Sequence, residues 1–147
     1  MAEGKNAEWL QHTIDTLEVF LEDEFDICTD FDPNGEDEYW FSSDGSQEIV
    51  AINSNHPLEE QVNILAHEIG HVILRADENY SFQFPDQDSS TQAGRLEILR
   101  EEVLAWEKGR ELLFATNLYY DVDSWTQSYR KALINYAKWV VSESKKN

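Results

Sequence analysis

Apolar residues recur three or four positions apart in four long stretches of the chain, and alternate with polar ones in a short region after the first. Leu10, Ile14, Leu17 and Leu21 line one side of a helix predicted over about residues 7–24, flanked by Trp9, Thr13 and Phe20 and acidic on its other face. From Phe25 to Phe31 the period drops to two, as in a half-buried strand. Asp32-Pro33-Asn34-Gly35 reads as a turn, Tyr39–Ser42 as a second strand, Asp44-Gly45 as a tight turn, and Glu48–Asn53 as a third strand. Short turns between consecutive strands predict a small antiparallel three-stranded meander. A second helix follows from about Pro57 to Leu74, with Pro57 suited to its first turn and Glu59 and Glu60 near its positive end. A third runs from Thr91 or Gln92 to about Asn117. A fourth, from about Asp123 to Ser144, places Trp125, Tyr129, Ala132, Tyr136 and Val140 on one face, a pattern usual for core. Lys145–Asn147 reads as a frayed tail. Residues 76–91 form the longest irregular stretch, either a lid or substrate rim or a mobile connector. The fold class is α+β, in one domain spanning residues 1–147.

Composition narrows the class. The 147 residues suit a single hydrophobic core, and 41% hydrophobic content with five Trp, six Tyr and seven Phe argues for a folded chain. Nothing resembles a signal peptide, and no run reaches the roughly 20 apolar residues of a membrane helix. The single Cys28 excludes an internal disulfide, fits a reducing compartment and reads as a small buried hydrophobe. A soluble cytoplasmic protein is expected. The net charge is −19 and unevenly spread: of 11 basic residues only Lys5 precedes Arg75, whereas 18 of the 30 acidic ones do, so that half carries −17. Such a field repels nucleic acid and membrane surfaces and attracts a basic partner, where it does more than keep the surface solvated.

The chemistry is concentrated in the second predicted helix. Its run Ile64-Leu65-Ala66-His67-Glu68-Ile69-Gly70-His71-Val72-Ile73-Leu74 contains H-E-x-x-H among apolar neighbours. Histidines four residues apart lie about 40° apart around a helix, so both imidazoles can grip one metal ion, with Glu68 beside them to act on a water there. Two histidines and a carboxylate buried together are costly unless something compensates them, and zinc does. No further motif histidine follows His71, which leaves a carboxylate from a later helix as third ligand. Helical phase favours Glu102, which shares a side with Ile98, Ala105, Trp106, Gly109 and Leu112, over Glu101, which with Glu97, Leu104 and Lys108 occupies a more polar face; Glu107 also tends outward. Ala105 and Gly109 would let this helix approach the metal helix closely.

Other residues read more plainly. His12 reads as solvent-facing and His56 as a loop residue before the helix. Asp30-Phe31-Asp32-Pro33-Asn34-Gly35 matches the first half of a calcium loop, but Phe41 stands where that loop needs a bidentate Glu, so it reads as a turn.

Ile49–Asn53 followed by Glu59–His71, with Glu102-Val103-Leu104-Ala105 downstream, resembles the ImmA/IrrE-type zinc metallopeptidases. There a strand precedes an A-H-E-x-G-H helix and a later helix supplies Glu in an E-x-x-A pattern. The likeness covers about residues 47–115. Trp106 departs from the Asn or Asp usual after that alanine, and no helix-turn-helix pattern accompanies the domain in this sequence. The resemblance implies a zincin-like fold and a peptidase with Zn²⁺ on His67, His71 and Glu102, Glu68 as general base, and a protein substrate such as a transcriptional repressor. Tyr80, Tyr119 and Tyr120 are the guesses for a donor to the oxyanion. The alternative is an acidic protein on the same fold that sequesters a basic DNA-binding partner without cleaving it.

Overall fold

The computed structural model describes residues 2–142; the tail expected at Lys145–Asn147, with Glu143 and Ser144, lies outside them. Among the described residues the order is α1 (Ala2–Phe25), β1 (Cys28–Asp32), β2 (Glu38–Phe41), β3 (Glu48–Asn53), α2 (Leu58–Ala76), α3 (Tyr80–Gln83), α4 (Gln92–Ala115) and α5 (Val122–Val141). The fold is α+β, with one small sheet and helices packed around α2. Among the described residues no helix is long and apolar enough to cross a membrane.

The sheet is mixed rather than an antiparallel meander. Its order is β1-β3-β2, with β2 antiparallel to β3 but β1 parallel to it, Cys28 opposite Ile49 and Asp32 opposite Asn53. The cause lies in the composition of the strands. Glu48-Ile49-Val50-Ala51-Ile52-Asn53 is the longest of the three, carries the aliphatic residues and takes the centre, where Val50 and Ile52 are fully buried. β1 alternates with charged residues and β2 is only four residues long, so both tolerate an edge. Residues 33–37 must then carry the chain past β3, and β3's own end holds them there. Asn53 N donates to Asp37 Oδ1 at 2.7 Å and Asn53 Nδ2 to the Gly35 carbonyl at 3.0 Å. The Asp32–Gly35 turn closes on itself, with Asn34 N donating to Asp32 Oδ1 at 2.9 Å.

Strand register also corrects the expectation for Cys28. Ile27 enters the core as the chain leaves α1 through Asp26, whose φ is 56°, and Cys28 then faces out, exposed. Leu10, Ile14, Leu17 and Leu21 of α1 are buried as their spacing requires, against α2 and the sheet.

From Gln61 to Leu74, α2 is buried at almost every position. Its tightest neighbour is α4, and two glycines explain the closeness. A Cβ built on Gly70 would lie 1.9 Å from the Ala105 carbonyl oxygen, and one on Gly109 would lie 2.5 Å from that of Ala66. The helices therefore meet backbone against backbone at the level of the H-E-x-x-H turn. Thr91 caps α4 by accepting from Gly94 N at 2.9 Å, and Asp121 caps α5 by accepting from Ser124 N at 2.9 Å. Segment 76–91 is not wholly irregular: α3 interrupts it, and buried Phe84 anchors it.

Candidate metal centre

The close approach of α2 and α4 brings His67, His71 and Glu102 together. Glu102 Oε1 lies 2.9 Å from His67 Nε2, Glu102 Oε2 lies 2.6 Å from His71 Nε2, and the two Nε2 atoms are 3.1 Å apart. Donors held about 2.0–2.1 Å from a tetrahedral zinc stand roughly 3.4 Å from one another. The separations of 2.6–3.1 Å fall short of that by less than an ångström, within reach of small side-chain rotations, so the donor set fits the ion. All three side chains are buried, yet they form the floor of an open cleft of about 420 Å³ that Asp37, Tyr39, Glu68, Arg75 and Tyr136 also line.

Electrostatics sharpen each role. Burial pushes the Glu68 carboxyl up, against the pull of His67 and His71. Burial opposes charge on His71, but hydrogen bonds to Glu101 and Glu102 outweigh it and push the imidazole up to about 10. Burial likewise disfavours charge on Glu102, yet the two histidines hold its carboxyl down at about 2.

Phase therefore chose between the two glutamates by which atoms converge: Glu102 is in the cluster and Glu101 is not. The expectation that Glu101 faces solvent is nevertheless overturned, because it is 2% exposed. Its carboxylate accepts from His71 Nδ1 at 2.6 Å, from Arg75 Nε at 3.2 Å and Nη2 at 3.3 Å, from Gln87 Nε2 at 2.8 Å and from the Tyr80 hydroxyl. Segment 76–91 covers that side of α4, so the polar face is interior. The pair His71 and Arg75, four residues apart on one side of α2, was the signal that a carboxylate would be met there. Trp106, the departure from the family pattern, lies flat on His67 with ring centroids 4.4 Å apart and planes 17° apart.

Of the three tyrosines considered as oxyanion donors, Tyr80 is committed to Glu101. Tyr119 and Tyr120 pack against Trp9 and Trp125, away from the cleft. Tyr136 of α5 lines the cleft instead, and its hydroxyl has no hydrogen-bond partner among the described residues. Burial, then Glu102, Glu68 and Glu101, push its pKa up to about 12, so it remains a donor. The α5 stripe read as core is core at Trp125 and Val140 and cleft wall at Ala132 and Tyr136. A tyrosine in such a stripe needs a partner or a wet edge for its hydroxyl, which was the sign of the wall. His12 is exposed on α1, and His56 sits outside α2 with its Nε2 2.8 Å from Asp37 Oδ2.

A helix bearing H-E-x-x-H, pressed against a second helix that offers a carboxylate and flanked by a small sheet, defines a class of proteins built to hold a metal at the floor of a cleft. Within that class the chain belongs to the Peptidase M78 family, whose model for the IrrE N-terminal-like domain matches residues 24–129. No curated protein and no solved structure matches it.

Proposed function

We infer that the chain is a zinc-dependent peptidase that hydrolyses a peptide bond in a protein substrate. The observation carrying this reading is the convergence of His67 Nε2, His71 Nε2 and a Glu102 carboxylate oxygen at the floor of a cleft that Glu68 also lines. Zinc held there supplies Lewis acidity, lowering the pKa of a coordinated water toward about 7 and polarising the scissile carbonyl. Glu68 takes the proton of the attacking water and delivers it to the leaving amine; its raised pKa suits both halves of that task. Tyr136, protonated and uncommitted, donates to the carbonyl oxygen as charge develops on it. The apolar walls at Ile64 and Ala132 limit water around these groups.

The test is metal content and cleavage together: about one zinc per chain, with Glu68→Gln retaining zinc and losing cleavage. Freshly purified protein without zinc refutes the reading. The acidic amino-terminal half favours a second reading, in which a basic partner protein is bound without being cut. Equal activity of Glu68→Gln and wild type in cells would select it.

A further inference from the structure

Glu101 is the most heavily engaged side chain near the cleft and has no part in the chemistry above. A simple ion pair with Arg75 would account for two of its contacts, on the side away from α4. It does not account for Tyr80 and Gln87, which reach in from the segment between α2 and α4 to the same oxygen, Oε1. Nor does it account for His71 Nδ1, at 2.6 Å on Oε2. An acceptor at Nδ1 keeps the proton on that nitrogen and leaves Nε2 as the atom that would take the metal. His67 has no equivalent, since the nearest carboxylate to its Nδ1 is Glu68 at 3.5 Å, and its ring is held by Trp106.

Resting on the metal-centre reading, we propose that Glu101 is a positioning residue for His71, and that Tyr80 and Gln87 lock Glu101 in that task. Segment 77–91 is thereby a bracket on the metal centre rather than a lid over it. It touches no part of the cleft floor, yet its two polar side chains fix the carboxylate that orients one ligand. Phe84 pins the segment by its burial. Displacing the segment frees Oε1 and with it the orientation of His71.

The experiment measures zinc affinity and zinc release against a chromogenic chelator, with melting of the metal-free protein alongside. Glu101→Gln should lower affinity by about 10–100-fold, the usual effect of losing an outer-shell partner. Glu101→Asp, which keeps the charge but shortens the reach, should restore part of it. Because Glu101→Gln alters a buried group, the Tyr80→Phe/Gln87→Ala double variant is the decisive one: it leaves every residue of α2 and α4 intact and should release zinc several-fold faster at an unchanged metal-free melting temperature. A purely structural role for Glu101 predicts the reverse, a lowered melting temperature with zinc affinity per folded molecule unchanged, and that result overturns the proposal. Wild type that binds no zinc overturns the metal reading instead, so the two failures are distinct.

Discussion

Gly70→Ala opposes two effects of known sign. Helix propensity alone favours alanine by about 1 kcal/mol. The structure opposes it: the new methyl would sit 1.9 Å from the Ala105 carbonyl oxygen and 2.7 Å from its carbon, where ordinary contact begins at 3.4 Å. The obstacle is backbone, which cannot rotate away, so α2 and α4 must part by roughly 1.5 Å at this level. Overpacking costs about 1–3 kcal/mol, and a backbone clash belongs at the upper end. The expected net destabilisation is about 2 kcal/mol, or roughly 4–8 °C in melting temperature for a chain of this size. Gly70 lies between His67 and His71, and Ala105 lies one turn beyond Glu102. The same parting pulls Glu102 from atoms now 2.6 and 2.9 Å away. Zinc affinity should therefore fall further than the 10–100-fold typical of an outer-shell loss. Thermal melting in chelator and zinc competition read the two effects separately. A variant that melts higher than wild type, or holds zinc equally well, refutes the account of how this interface builds the site.

Tyr136→Phe should lower kcat about hundredfold with KM little changed, measured on any cleaved substrate, because it removes one donor to the developing charge. Zinc at 100 times its Kd should raise the melting temperature by roughly 5–11 °C over chelator-treated protein, from about 2.7 kcal/mol of linkage. For the metal-free protein, His71 is raised from 6.5 to about 10 on folding. Its contribution is complete below pH 6.5 and lost as pH climbs toward 10, so chelator-treated samples should melt progressively lower across that window. Zinc affinity should rise over the same window, since the His71 proton competes with the ion; affinity independent of pH there would contradict the assignment.

Periodicity made α1 and α5 legible because each has one partner-facing stripe, α2 was legible as an unbroken apolar run around H-E-x-x-H, and the third candidate ligand was legible because Glu102 shares a side with Ala105, Trp106 and Gly109. The strand pairing was not. Periodicity places side chains on faces but says nothing of neighbours, and the parallel β1–β3 pair rests on Asn53 reaching Asp37 and Gly35 across the crossover. Glu101 was misplaced for a related reason. The polar face of a helix is solvent-facing only when nothing covers it, and the cover came from Tyr80 and Gln87, in a segment whose sequence shows no period.

The two adjacent glutamates of α4 also settle how the buried charges balance. Glu101 is matched by Arg75, the one basic residue of α2, so that pair is neutral without an ion. Glu68 and Glu102 remain, with only a proton on His71 to offset them in the ion-free arrangement. Two carboxylates and two neutral imidazoles around one point are neutralised by a dication and by no single protonation. The same balance explains why Glu101 can orient His71 without competing for the ion: its charge is already spoken for. Replacing Arg75 with methionine should break that separation, leaving the Glu101 charge unbalanced so that it holds the His71 proton more tightly, and weakening zinc binding most below neutral pH. Unchanged zinc affinity of Arg75→Met at pH 6 would show that the two carboxylates are not divided in this way.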